Sequence, residues 1–283
     1  DGLLLRIDDN CYWFAQADGD MLSWYKANSE GLDVEIKEPN VFVSQIQGPK
    51  SMELLKHLID EPVANTWKYF DWVEITMAGE KVIISRTGFT NELGWEIYFR
   101  PKNNIEKLGD LILEEGKKMG MIITATPSFR GRRIEAGLLS AGQDFSNETN
   151  PFSVGLGRFV DLEKDNFIGK KALINADKEC RSWGIRVVGG IAKKGRSLKL
   201  NGKIVGKVTS STWSPYQVCG VGIALLDNSE IGPGTVIDVE CIDNKIHKAE
   251  LCKLPMYDAK GEIVRGIKKD IPKKPEPWAG IRN

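Results

Sequence analysis

The run Trp95-Glu96-Ile97-Tyr98-Phe99 sets a carboxylate and a phenol two residues apart in a segment of alternating apolar character. Successive side chains of a strand point to opposite faces, so if Trp95, Ile97 and Phe99 face a core, Glu96 and Tyr98 emerge together on the other side. An ionised carboxylate accepts two parallel N–H bonds, which suits a flat heterocycle presenting a ring N–H beside an amino group. An ordinary exposed strand glutamate fits the same pattern, and both readings stand at this point.

Other chemistries are excluded by counting. The chain has two histidines, His57 and His247, too few for a three-histidine zinc site, and a Ser-His-Asp relay would have to use one of them. Cys11, Cys180, Cys219, Cys241 and Cys252 form no Cys-x-x-Cys pair and are odd in number. They read as reduced, mostly buried thiols in a cytoplasmic protein. Gly155-Leu156-Gly157 lacks the third glycine and the following helix of a dinucleotide-binding turn. Lys plus Arg and Asp plus Glu are both 39, so no net field recruits nucleic acid or an anionic membrane. No apolar run reaches the length that spans a bilayer.

The 283 residues suffice for two or three small domains. The chain enters directly on two short strands, Leu3 to Ile7 and Asn10 to Ala17, around Asp8-Asp9-Asn10. That abrupt start leads us to expect missing upstream sequence. From Asn40 to Gly120 the pattern is strand, helix, three strands, helix. Val41 to Ile46, Trp72 to Met77, Lys81 to Arg86 and Trp95 to Arg100 are the strands. Met52, Leu55, Leu58 and Ile59, then Ile105, Leu108, Ile112 and Met119, mark the helices. Two helices on one face of a mostly antiparallel sheet make a split β-α-β, ferredoxin-like layer with its other face free. A further helix is expected from about Arg130 to Ala141. Beyond Ser182, short β-rich segments with turn signals predict a small barrel or sandwich, and the Pro- and Lys-rich tail from Lys268 wraps the surface.

A family resemblance then enters on a series of motifs. Ile46-Gln47-Gly48-Pro49-Lys50, Arg86-Thr87-Gly88-Phe89-Thr90 with Gly94-Trp95-Glu96-Ile97, Arg133-Ile134-Glu135-Ala136-Gly137, Asn150-Pro151-Phe152 and Asp165-Asn166-Phe167-Ile168-Gly169-Lys170 occur in order. Together they resemble the glycine-cleavage T-protein (aminomethyltransferase) superfamily over nearly the whole chain. Leu138 to Phe145, with Trp213-Ser214-Pro215 and Leu251 to Pro255, look most like its dimethylsulfoniopropionate demethylase branch. Ser128-Phe129-Arg130 stands where T-proteins commonly carry Ala-Arg-Asp, and Asn91 to Glu96 is similar to the folate domains of dimethylglycine and sarcosine dehydrogenases.

The resemblance implies an α+β fold of three domains in a cloverleaf, ferredoxin-like domains plus a C-terminal β-barrel, with tetrahydrofolate in a central channel. It places the remainder of a first domain at 1–40 and 148–180, a second domain at 41–147, the barrel at 181–265 and a tail at 266–283. It implies that Glu96 holds the pterin, with Tyr98 and Phe89 beside it, that Arg133 lies at the folate site, and that Asp1 sits near the reacting folate nitrogen. A sulfonium or ammonium donor is a cation that aromatic faces can hold, and Trp13 and Trp213 are candidates, each also an ordinary core residue. No metal is required. The expected partners are the small methyl donor and either a second copy in a homodimer or a missing N-terminal segment, with no nucleic acid and no membrane. The implied activity is tetrahydrofolate-dependent transfer of a one-carbon unit from a small methylated donor such as dimethylsulfoniopropionate or a methylamine. The alternatives are the aminomethyltransferase of glycine cleavage, a non-catalytic folate-binding accessory protein, and the folate domain of a larger dehydrogenase.

Overall fold

The computed structural model describes residues 2–16, 20–62, 67–270 and 275–281. The chain divides into two compact units, Asp1–Thr126 with Lys260–Ile271, and Pro127–Ala259 with Pro272–Asn283. Both α and β structure are present, as expected.

In the first unit, β1 (Gly2–Arg6) and β2 (Tyr12–Gln16) form an antiparallel hairpin in which Leu3 pairs with Ala15 and Leu5 with Trp13. Helix α1 (Met21–Ala27) begins at Asp20, whose carboxylate accepts the Ser23 N–H at 3.3 Å. The expected strand-helix pattern follows as β3 (Phe42–Gln47), α2 (Ser51–Leu58), β4 (Trp72–Met77), β5 (Glu80–Ser85), β6 (Gly94–Phe99) and α3 (Ile105–Lys118). The four strands form an antiparallel sheet in the order β3-β6-β5-β4. The strands on either side of α2 therefore lie at opposite edges and run antiparallel, a variation on the parallel split β-α-β.

Alternation along β6 decides what each sheet face does. Trp95, Ile97 and Phe99 enter a core with Leu54, Leu55 and Leu58 of α2 and Leu108 and Ile112 of α3. The opposite face was expected to be free, and half of it is not. The hairpin's apolar side, Leu3, Leu5, Trp13 and Ala15, packs over Ile83 and Tyr98, leaving Tyr98 3% exposed. Burial of such aliphatic and aromatic side chains stabilises by about 1.5–3 kcal/mol each, which explains why a short hairpin closes down there rather than projecting into water.

In the second unit, α4 spans Thr126–Ala136, five residues shorter at its C-terminal end than the sequence pattern suggests. Gly137 stops it: its φ is +71°, and a Cβ there would come within 2.8 Å of Leu254 Cβ. A short helix α5 (Lys170–Asn175) precedes a closed six-stranded barrel. Its strands are β7 (Ser182–Val187), β8 (Ser197–Leu200), β9 (Lys203–Ser214), β10 (Cys219–Leu226), β11 (Val236–Glu240) and β12 (Ile246–Cys252), in the order β10-β7-β12-β11-β8-β9. Closure pairs both edges of the sheet and leaves no open strand. Cys219, Cys241 and Cys252 are buried, and all five cysteines are free. No helix among the described residues is long and apolar enough to cross a membrane.

Candidate functional site

Glu96 sits at the centre of the uncovered half of the first unit's sheet. The register places Gln45 of β3 directly opposite it on one side and Ser85 of β5 on the other. The Glu96 carboxylate accepts a short hydrogen bond from the Thr87 hydroxyl and a longer one, 3.4 Å, from the Tyr98 phenol. Ser85 and Thr87 share a hydrogen bond in turn, and the Ser85 hydroxyl lies 3.5 Å from the Tyr98 oxygen. Two hydroxyls thus converge on one side of one carboxylate, with Ser85 behind them. Both contacts use Oε2, which fixes the side chain while keeping Oε1 for a ligand.

Tyr98 supports this carboxylate rather than presenting its ring. The ring is sealed by the hairpin, with the Trp13 ring centroid 6.4 Å away. Burial first, then the negative charge of Glu96, pushes the phenol up to about 12. Since the folded value lies above the ordinary 10.0, the phenol's stabilising neutral form is fully kept below that pH and lost as pH rises towards 12. A phenolate absorbance titration of wild type minus Tyr98→Phe should therefore show a tyrosine ionising near 12, and a midpoint at 10 would contradict this packing.

The loop Arg86 to Leu93 closes one side of the site. Arg86 anchors it, donating to the Trp67 carbonyl and to the Val264 carbonyl, both at 2.7 Å. Its guanidinium also lies 5.7 Å from the Trp95 ring. Phe89 is half-buried between Gly88 and Thr90. Two residues that the sequence reading left out stand on the open face: Gln45 and Gln47 alternate around Ile46, which faces the core. Their alternation around the buried Ile46 is the signal that could have marked them. The Gln47 amide oxygen accepts from Thr90, while Nε2 of both glutamines is buried with no hydrogen-bond partner. A Cβ on Gly88 would overlap both nitrogens, so the two amides pack against the glycine where any side chain would stand.

The other sequence candidates take different places. Asp1 lies outside the described residues. Trp13, expected at a donor site, packs between the Tyr98 ring and the Arg100 guanidinium, 5.4 Å from its centroid. In the second unit, Trp213 lies on β9 with 41% of its surface exposed.

Arg133 was expected at the folate site, and the structure encloses its guanidinium. It donates to Asp144 at 2.6 Å, to the Leu138 carbonyl at 3.0 Å and to Ser210 at 2.8 Å. Asp144 also accepts from the Ser140 N–H and from Thr209. Arg133 and Asp144 side chains are 3% and 0% exposed, so this pair ties α4 to barrel strand β9. Next to it, the buried Glu135 accepts from Arg132, at 2.7 Å, and from Ser214. Among the described residues no group of histidine, cysteine, aspartate and glutamate side chains could hold a metal ion.

Comparison with known proteins accords with this architecture. The family model for the GCVT N-terminal domain matches residues 1–164, and that for the glycine cleavage T-protein C-terminal barrel domain matches residues 181–258. An aminomethyltransferase of Alkaliphilus oremlandii is 34% identical over 243 residues, covering 83% of this chain and 65% of that protein. The dimethylsulfoniopropionate demethylase DmdA of Ruegeria pomeroyi is 31% identical over 250 residues, covering 86% and 68%. The crystal structure of the glycine cleavage system aminomethyltransferase T from Bartonella henselae shares the fold with a TM-score of 0.73 at 22% identity, over 84% of this chain and 65% of that one. The chain thus spans about two thirds of the length of these relatives, and it belongs to the glycine cleavage T-protein family.

Proposed function

We propose that this chain is the folate-holding part of a tetrahydrofolate-dependent one-carbon transferase whose donor is a small methylated compound, dimethylsulfoniopropionate or a methylamine. The observation that carries this reading is Glu96: a carboxylate pinned through one oxygen by Thr87 and Tyr98, beside two buried amide nitrogens that lack protein partners. Those groups fit a flat aminopyrimidinone ring, which offers two parallel N–H donors next to a carbonyl oxygen.

Bound tetrahydrofolate would supply a nucleophilic ring nitrogen that accepts the one-carbon unit. The chain's own part is positional. Thr87 and Tyr98 hold Glu96 in one rotamer, so the carboxylate meets the ring already oriented, and the packed hairpin keeps water from the Tyr98 side. We assign Asp1, by its motif alone, to steadying positive charge or taking a proton at the reacting nitrogen. Arg133 then acts as a structural residue through Asp144.

The donor is tested by product chemistry. Carbon-13-labelled dimethylsulfoniopropionate, dimethylglycine and an aminomethyl-lipoyl carrier protein are each incubated with the full protein and tetrahydrofolate. We expect label in 5-methyltetrahydrofolate from one of the methylated donors. Label appearing instead as 5,10-methylenetetrahydrofolate from the lipoyl carrier would establish aminomethyl transfer. That second reading is favoured by the name of the Alkaliphilus relative.

A further inference from the structure

Buried amide nitrogens without partners are costly. A donor stripped of water and left unpaired costs about 1–3 kcal/mol, and the great majority of buried polar groups are therefore satisfied. Nε2 of Gln45 and Nε2 of Gln47 are two such donors, on the same sheet face and both against one glycine. Gln47 is oriented by its own amide oxygen, which accepts from Thr90 and so turns the nitrogen inward. Gln45 stands directly across the strand pair from Glu96, a register that brings Cβ atoms to about 4.5–5.5 Å. Acceptor and donors are thus side by side: the carboxylate takes N–H groups, and the two amides call for an oxygen next to them.

We infer that Gln45 and Gln47 are specificity-determining residues that read the 4-oxo group of the bound ring. They select a 2-amino-4-oxo pteridine against its 2,4-diamino counterpart. The inference rests on the folate reading above and adds the group that each side chain recognises. A 4-amino group would turn hydrogens towards two N–H donors and leave all of them unpaired. A site built to hydrogen-bond a substrate group rejects an analogue lacking it far more strongly than an apolar pocket could. Gly88 belongs to the same device, because any larger residue there would displace both amides.

Calorimetric titration of the full protein with tetrahydrofolate and with its 4-amino-4-deoxy analogue tests this directly. The wild type should prefer the 4-oxo ring by at least about tenfold. In Gln45→Met/Gln47→Met the preference should fall at least about threefold below that of the wild type, because thioethers of similar volume donate nothing, and what remains is set by Glu96, which loses its ring N–H partner in the 4-amino analogue. Gly88→Ala, which leaves both glutamines in place and pushes their amides apart, should erode the preference in the same direction and serves if the double variant does not fold. Equal affinities in the wild type, or an unchanged ratio in these variants, would overturn the inference while leaving folate binding intact. Binding of neither ring by the wild type would overturn the folate reading itself.

Discussion

Arg133→Met should lower the stability of the protein by about 3–5 kcal/mol, because it leaves the Asp144 carboxylate charged, buried and short of its principal partner. The pair is 2.6 Å apart with both side chains almost fully enclosed, so solvent cannot take over the lost interaction. On a chain of this size the change amounts to a fall in unfolding temperature of roughly 10 °C by calorimetry. The double variant Arg133→Met/Asp144→Leu removes both charges and should recover at least half of the loss, since an apolar pair of similar volume is often neutral or better. If the single variant melts like wild type but loses tetrahydrofolate affinity, then Arg133 is a ligand residue and its enclosure has been misread.

Glu96→Ala should weaken tetrahydrofolate binding by about two orders of magnitude or more. Two charge-assisted hydrogen bonds are lost, each worth about 1.5–3 kcal/mol, and the ligand's N–H groups are left facing a gap. Glu96→Gln should lie between, because one of the two acceptors becomes a donor. Neither variant should unfold the protein. Glu96 is on the open side of β6, opposite the core made by Trp95, Ile97 and Phe99, so removing it creates no cavity there. By contrast Trp95, 1% exposed in the centre of that core, cannot be truncated without loss of about 3–5 kcal/mol.

How far the sequence carries can be judged at β6. Period-two alternation over five residues correctly sorts Trp95, Ile97 and Phe99 from Glu96 and Tyr98, because the pleat leaves no other choice. The same local rule says nothing about what covers a face. The hairpin that buries Tyr98 and Trp13 together comes from eighty residues upstream, and its docking is a tertiary event. Gln45 and Gln47 are hidden for a related reason: the run from Val41 to Ile46 reads as an apolar strand, and only the pairing with β6 puts the two glutamines beside Glu96. Arg133 shows the opposite limit. Its motif matches the family pattern, yet its partner Asp144 lies in a loop whose path depends on the barrel strand carrying Thr209 and Ser210. The end of α4 was legible in principle, since Gly137 follows the last helical residue, but the apolar pattern continuing through Leu138 and Ala141 masks it.

Whether Glu96 holds the pterin ring is tested most sharply with that ring alone. Tetrahydropterin, which carries no benzoyl-glutamate tail, is titrated calorimetrically into the full wild-type protein and into Glu96→Ala of equal far-ultraviolet circular dichroism. Saturable binding to the wild type is expected, and none measurable to the variant at the same concentrations. Equal binding to both, or binding only when the tail is present, would contradict it.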